Sequence, residues 1–251
     1  TENTSKKIRL KVRRQDSPTG DPYWQEFEIP YKRGHNVLSA LMEVRKNPVD
    51  VSGKHAEPPV WDSNCLEEVC GACSMVINGK ARQGCTALVD NLEQPIVIEP
   101  MNKFPVIRDL CVDRSRMFNN LKRIKAWVNI DGSHNLGPGP KQDPDDSLTR
   151  YTLSTCMSCG VCLQVCPQVS VNNNFVGAAI LSQVRLFNSH PTGEYNADER
   201  IDSVMGNGGV EDCGNAQNCV EACPKSIPLT ESIAEVGRQA TVRTVKKFLG
   251  F

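Results

Sequence analysis

The sequence predicts an α+β fold: strands holding one helix over roughly the first hundred residues, then a helical remainder. Three observations carry this. Apolar residues alternate singly near the start of the chain, they recur at three and four spacing near 37–44 and again beyond 113, and the cysteines fall into separate groups. Of 12 cysteines in 251 residues, four lie at 65–85, one stands at 111 and seven lie at 156–223. That partition divides the chain into a first domain over 1–105 and a second over 106–251.

Ile8, Leu10 and Val12 alternate with Lys7, Arg9, Lys11 and Arg13, the period of a strand with one apolar face. Residues 17–22 (SPTGDP) carry turn chemistry, and Phe27 and Ile29 alternate with Glu26 and Glu28, which predicts a hairpin. Val37, Leu38, Leu41, Met42 and Val44 form one helical face, with Asn36 as its N-cap and Asn47-Pro48 as its stop. Ser74–Ile77, an Asn78-Gly79 turn and Gln94–Glu99 supply further strands. The basic stretch Lys6–Arg14 is expected to be the solvated face of an edge strand, where lysines block strand addition. A docking face for an acidic partner is the sharper alternative.

In the second half, Asp113 is placed to cap a helix carrying Met117, Leu121, Ile124 and Trp127. Residues 131–146 (DGSHNLGPGPKQDPDD) read as a loop, and apolar periodicity returns near 178–188, 197–205 and 228–249.

Lys+Arg and Asp+Glu are 29 each, so no basic surplus favours nucleic acid as a partner. A charged content of 23% with 39% hydrophobic residues suits a folded globular chain. No stretch approaches 18 consecutive apolar residues, so membrane association is expected to come through a partner. The first residues (TENTSKKIRL) hold no apolar signal core, and the expectation is metal-ligating thiols in a reducing compartment, not a disulfide scaffold.

Cys65, Cys70 and Cys73 have the spacing C-x4-C-x2-C, and Cys85 follows after eleven residues, the plant-type pattern for a 2Fe–2S cluster. Thiolates must converge on two irons, and the small Gly71 and Ala72 let backbone amides approach the sulfur atoms. A structural zinc site is the alternative; it usually pairs two short C-x2-C knuckles, and only Cys70 and Cys73 form one here.

Cys156, Cys159, Cys162 and Cys166-Pro167 form the bacterial C-x2-C-x2-C-x3-C-P run. Cys213, Ala216, Cys219 and Cys223-Pro224 repeat its spacing, with alanine at the second ligand position. In two-cluster ferredoxins the fourth cysteine of each run ligates the other cluster. That crossover gives Cys156, Cys159, Cys162 and Cys223 to a 4Fe–4S cubane. Cys166, Cys213 and Cys219 remain as three thiolates, which suits a 3Fe–4S cluster. A 4Fe–4S cluster whose open corner takes water or Asp212 is the competing reading. Cys111 is left over and expected to be a buried small hydrophobe.

None of His35, His55, His134 and His190 has two-histidine ligand spacing, and each is expected at the surface or in a loop. No phosphate loop, nucleophile elbow or zinc-protease motif is present, so no catalytic residue is assigned.

These motifs resemble the iron–sulfur subunits of succinate dehydrogenases and fumarate reductases. The resemblance rests on CLEEVCGACSMVINGKARQGC at 65–85, PVIRDLCVDRSRMF at 105–118, CMSCGVCLQVCP at 156–167 and CGNAQNCVEACPKSIP at 213–228. The wording is nearest the menaquinone-linked, Bacillus-type group. The resemblance implies a β-grasp 2Fe–2S ferredoxin domain, then a helical bacterial-ferredoxin-like domain. It implies a subunit of a succinate:quinone oxidoreductase, an enzyme of the tricarboxylic acid cycle, with no substrate-converting site on this chain. A flavoprotein subunit with FAD would lie on the 2Fe–2S side and a haem-bearing membrane anchor on the 3Fe–4S side. Single electrons would pass from FAD through the three clusters to a quinone. The subunit would be peripheral, held by the anchor at the cytoplasmic face of the bacterial cell membrane. The same wiring would serve a fumarate reductase running in the opposite direction, or another quinone-linked oxidoreductase; a freely diffusing ferredoxin-like carrier is a further alternative.

Two departures bear on the quinone. Ubiquinone-linked relatives carry a tryptophan pair after the cysteine matching Cys166, where this chain has Gln168, Val169, Ser170 and Val171. They often carry a histidine after the cysteine matching Cys213, where this chain has Gly214. Their quinone-site residues are therefore not carried over, and menaquinone is the expected acceptor.

Overall fold

The computed structural model describes residues 6–129 and 141–250. The chain folds as two compact units. The first runs to Arg114 and includes Met157–Gln164; the second comprises Ser115–Cys156 and Val165 onward.

The first unit is a five-stranded sheet holding one helix. Its strands are β1 (Lys7–Arg14), β2 (Tyr23–Pro30), β3 (Ser74–Ile77), β4 (Lys80–Gln83) and β5 (Ile96–Glu99), in the order β2-β1-β5-β3-β4. β1 pairs antiparallel with β2 and parallel with β5. Asn78 and Gly79 both take positive φ, as a tight two-residue hairpin turn requires. Helix α1 (Val37–Lys46) starts where expected: the Asn36 side chain accepts from Ser39 N–H, and Ser39 Oγ accepts from Asn36 N–H. Ile8, Leu10 and Val12 of β1, Ile96 and Ile98 of β5 and Leu38, Leu41 and Val44 of α1 share one core.

The basic strand is not an edge. β1 lies inside the sheet, while its charged face stays solvated as expected: Lys7, 65% exposed, pairs with Glu28 at 2.7 Å, Arg13 reaches Glu99 at 3.5 Å and Lys11 lies over the Trp24 ring. Side-chain alternation reports which face is solvated. Edge or interior is decided by backbone partners, here β5, which lies far along the chain.

A small hairpin, β6 (Val106–Arg108) with β7 (Cys111–Val112), closes the unit, with Asp109 at φ +48° in its turn. Cys111 is half-buried, and its thiol donates to Asp62 Oδ2 at 3.3 Å, so it is not the buried hydrophobe expected. Burial, then the Asp62 hydrogen bond and charge, push that thiol up to about 11. His35 lies in the loop ahead of α1, as expected, but is buried there. His134 and residues 131–140 of the expected loop lie outside the described residues.

The second unit is helical: α2 (Ser115–Arg123), α3 (Pro144–Ser154), α5 (Ala178–Asn188), α6 (Ala197–Ser203), α7 (Asn218–Glu221) and α8 (Leu229–Leu249), with α4 (Val161–Gln164) belonging to the first unit. α5 packs on α8, α3, α6 and α2, burying Ile180, Leu181 and Val184. α2 ends at Arg123, short of Trp127, because Lys125 turns to φ +51°; Ile124 is still buried, whereas Trp127 is 46% exposed. Helix α3 opens inside the expected loop. Asp143 caps it and Pro144 occupies its first turn, a start signal legible in the sequence. Among the described residues no helix is long and apolar enough to cross a membrane.

Candidate cluster sites

The first cysteine group forms a loop bent by three left-handed residues, Leu66, Glu68 and Gly71. Non-glycine residues adopt such φ values at a cost of about 1–2 kcal/mol each, which the loop accepts in order to curl around its own sulfurs. The N–H groups of Val69 and Cys70 both point at Cys65 Sγ at 3.3 Å, and Ala72 N–H points at Cys70 Sγ at 3.4 Å. Amides aimed at sulfur are what a negatively charged thiolate needs. Hydrogen bonds from Glu67 and Val69 hold the Cys65 thiol down to about 7.

Cys73 and Cys85 are buried against the sheet core. Burial, then a hydrogen bond to the Cys73 thiol and the charges of Cys73 and Cys65, push the Cys85 thiol up to about 11. The four sulfurs therefore face one another, and bare thiolates so placed would repel. Cationic iron removes that conflict, so the donor set fits a cluster. No disulfide joins any of the twelve cysteines. Among the described residues, no three Cys, His, Asp or Glu side chains are grouped to hold a single metal ion.

The two ferredoxin-type runs agree in backbone as well as spacing. Ser158 and Gly160 have φ of +50° and +83°; Asn215 and Gln217, at the same places in the second run, have +52° and +63°. A four-residue helix follows each, α4 and α7. Ala216 thus occupies the position of Cys159 in backbone geometry.

In the second unit, Cys166, Cys213 and Cys219 line one cavity, with Ala216 presenting a methyl group to it. Burial, followed by the charges of Cys166 and Cys213, raises the Cys219 thiol, so these three sulfurs also face one another. Asp212 is not among the lining residues; its carboxylate accepts from Gly208 N–H at 2.8 Å. Nothing there supports Asp212 as a corner ligand. Cys159 and Cys162 belong to the first unit, Cys156 and Cys223 to the second.

The two departures noted in the sequence meet at this cavity. A Cβ on Gly214 would fall 2.5 Å from the side-chain nitrogen of Gln168. Gln168 thus takes the space that a side chain at 214 would need.

Three residues near the first site carried no sequence signal. Arg114 Nη1 donates to the Gly71 carbonyl at 2.8 Å. The Asp109 carboxylate accepts from Val60 N–H at 2.9 Å, ahead of Cys65. Gln164 accepts from Lys103 N–H at 3.1 Å and donates to Asn102 at 2.8 Å. Each contact joins residues more than 40 positions apart, beyond the reach of local pattern.

Residues 9–119 match the family model of a 2Fe-2S iron-sulfur cluster binding domain, and residues 148–224 that of a 4Fe-4S dicluster domain. The chain is 58% identical over 245 residues to the succinate dehydrogenase iron-sulfur subunit of Bacillus subtilis (strain 168), covering 98% of this chain and 97% of that relative. The fumarate reductase iron-sulfur subunit of Wolinella succinogenes is 27% identical over 227 residues, covering 89% of this chain and 92% of that one. Among solved structures, a chain of the Mycobacterium smegmatis Sdh1 complex in the apo form matches with a TM-score of 0.79. It covers 96% of this chain and 98% of that chain at 22% identity, a likeness of fold.

Proposed function

Because the chain belongs to the family of succinate dehydrogenase iron–sulfur subunits, we propose the ligand sets and electron path by which it works. It is an oxidoreductase subunit built on a 2Fe–2S domain and a 4Fe–4S dicluster domain. Fumarate reductase subunits are more distant, at 27% identity for the Wolinella protein, so succinate oxidation is the preferred direction.

When bound, the clusters supply one-electron carriers that accept and release an electron without breaking a bond. The chain's part is to hold and insulate them. Cys65, Cys70, Cys73 and Cys85 hold the 2Fe–2S cluster, with backbone amides steadying the sulfurs of Cys65 and Cys70. Cys156, Cys159, Cys162 and Cys223 hold the 4Fe–4S cluster, by the crossover of the two runs. Cys166, Cys213 and Cys219 hold the 3Fe–4S cluster. The observation that carries this assignment is the three-thiol cavity with Ala216 at the fourth position. The cysteine partition supports a first domain over 1–105 and a second over 106–251.

The partners are a FAD-bearing flavoprotein subunit on the first-cluster side and a haem-bearing membrane anchor on the other. Leu66 and Val69, 48% and 59% exposed, give the first loop an apolar rim that suits a docked protein. The anchor would hold this subunit at the cytoplasmic face of the membrane. Menaquinone is the acceptor we favour, supported by Gln168 and Gly214 standing where ubiquinone-linked relatives carry other residues.

Iron counting and paramagnetic resonance on the purified complex test the ligand sets. About nine irons in this chain are expected, with a 3Fe–4S signal when oxidised and a 2Fe–2S signal after dithionite. Zinc without inorganic sulfide would overturn them. Turnover with both quinones tests the acceptor, and a strong preference for ubiquinone would overturn menaquinone.

A further inference from the structure

We propose that Arg114 and Gly71 are positioning residues for the first electron step along the chain. Arg114 sets the potential of the first cluster through a single peptide group, and Gly71 brings that peptide against Cys159 of the second cluster. This rests on the ligand sets proposed above.

The peptide is the one joining Gly71 to Ala72. Its carbonyl accepts from Arg114 Nη1 at 2.8 Å and from Ser74 Oγ at 3.0 Å. Its N–H, on Ala72, is aimed at Cys70 Sγ at 3.4 Å. A guanidinium on the carbonyl end withdraws electron density from the whole amide, which makes its N–H a stronger donor. The sulfur at the far end then carries negative charge at lower cost. Hydrogen bonds to ligand sulfur raise a cluster's potential by stabilising the reduced, more negative state. The positive charge of Arg114 acts in the same direction.

Gly71 meets two independent demands. Its φ is +69°, where side chains are strained. A Cβ there would lie 2.8 Å from both Cα and Cβ of Cys159 and 2.9 Å from the Met157 carbonyl oxygen. The backbone leaving Cys70 thus touches the residue carrying the next cluster's thiolate. Gly71 is buried, so water is kept out of this contact. The facing segment is tied down by Gln164, bonded to Asn102 and to the Lys103 amide. The chemistry that the two clusters would supply across this contact is exchange of one electron, oxidising one and reducing the other with no bond formed or broken and no proton required; the chain's part is the dry backbone contact between Gly71 and Cys159.

Redox titration of the whole complex, followed by the paramagnetic signal of the first cluster, tests the proposal. Arg114→Ala should lower that cluster's potential with iron content unchanged, and Arg114→Lys should lower it less. If Arg114→Ala fails to assemble, Ser74→Ala removes the second donor to the same carbonyl and should shift the potential in the same direction. Gly71→Ala should weaken the spin–spin relaxation that the reduced second cluster imposes on the first. Intact clusters with an unmoved potential in the arginine or serine variants, or unchanged relaxation in Gly71→Ala, would overturn the proposal. A wild-type complex lacking either cluster signal would instead overturn the ligand sets beneath it.

Discussion

Arg14 Nε donates to Asp109 Oδ1 at 2.8 Å, and the two side chains are 1% and 0% exposed. Asp109 Oδ1 also accepts from Gln15 N–H at 3.0 Å, and Oδ2 accepts from Val60 N–H at 2.9 Å. One carboxylate therefore ties the end of β1 to the segment that leads into the first cluster loop. A buried charge is tolerated when it is paired and hydrogen-bonded, and the Asp109 carboxylate accepts three such bonds, while Arg14 Nη2 is buried without a partner.

Removing one partner of such a pair leaves the other charge buried. Asp109→Ala is expected to cost about 3–5 kcal/mol. Asp109→Asn should cost less, since it keeps an acceptor for a backbone N–H. Thermal bleaching of the visible cluster absorption would report both. Equal losses in the two variants would show that the charge, not the shape or a remaining acceptor, is what the site requires.

Ala216→Cys restores a donor at the empty position of the second run. The third centre should then tend to a cubane, adding about one iron per chain and lowering its potential. Iron analysis and the loss of the oxidised 3Fe–4S signal check this. An unchanged signal would count against Cys166, Cys213 and Cys219 as its ligands.

Cys111 is the cysteine outside the three ligand sets, and its thiol is pushed up to about 11 by burial and then by Asp62. An acid with a raised value keeps its proton to higher pH, and only the thiolate is a nucleophile. Alkylation of Cys111 in the intact complex should therefore be negligible near pH 8 and climb only toward pH 11. Asp62→Asn should move the rise to lower pH while leaving it above that of a solvated thiol, because burial is the larger cause. Mass spectrometry of the labelled subunit reads the site; rapid labelling at pH 7 would contradict the burial of the thiol, and an unmoved rise in Asp62→Asn would contradict the Asp62 contact.

Elements whose pattern is local were legible along the chain. Ser74–Ile77 and its Asn78-Gly79 turn, α1 with its Asn36 cap, and α5 at 178–188 form where alternation, turn chemistry and helical spacing place them. Other features were not. β1 is interior because β5 pairs with it from the far end of the domain, and its alternation is the same in either position. Helix α3 was obscured by the Gly- and Pro-rich run before it, although Asp143 and Pro144 mark its start. Buried His35 and the Cys111–Asp62 contact depend on neighbours that no short window contains.

The sequence by itself determined the chemistry: which sulfurs are on offer, in what spacing, and that alanine stands where one more thiol would complete the second run. Donor type belongs to the side chain and spacing to the local loop, so both survive without a fold. Tertiary structure alone decided that Arg114 reaches the Gly71 carbonyl, that Asp109 anchors Val60, and that Gly71 lies against Cys159. Those contacts close chain loops of more than 40 residues, and only the burial and hydrogen bonding of the assembled core offset the entropy of closing them.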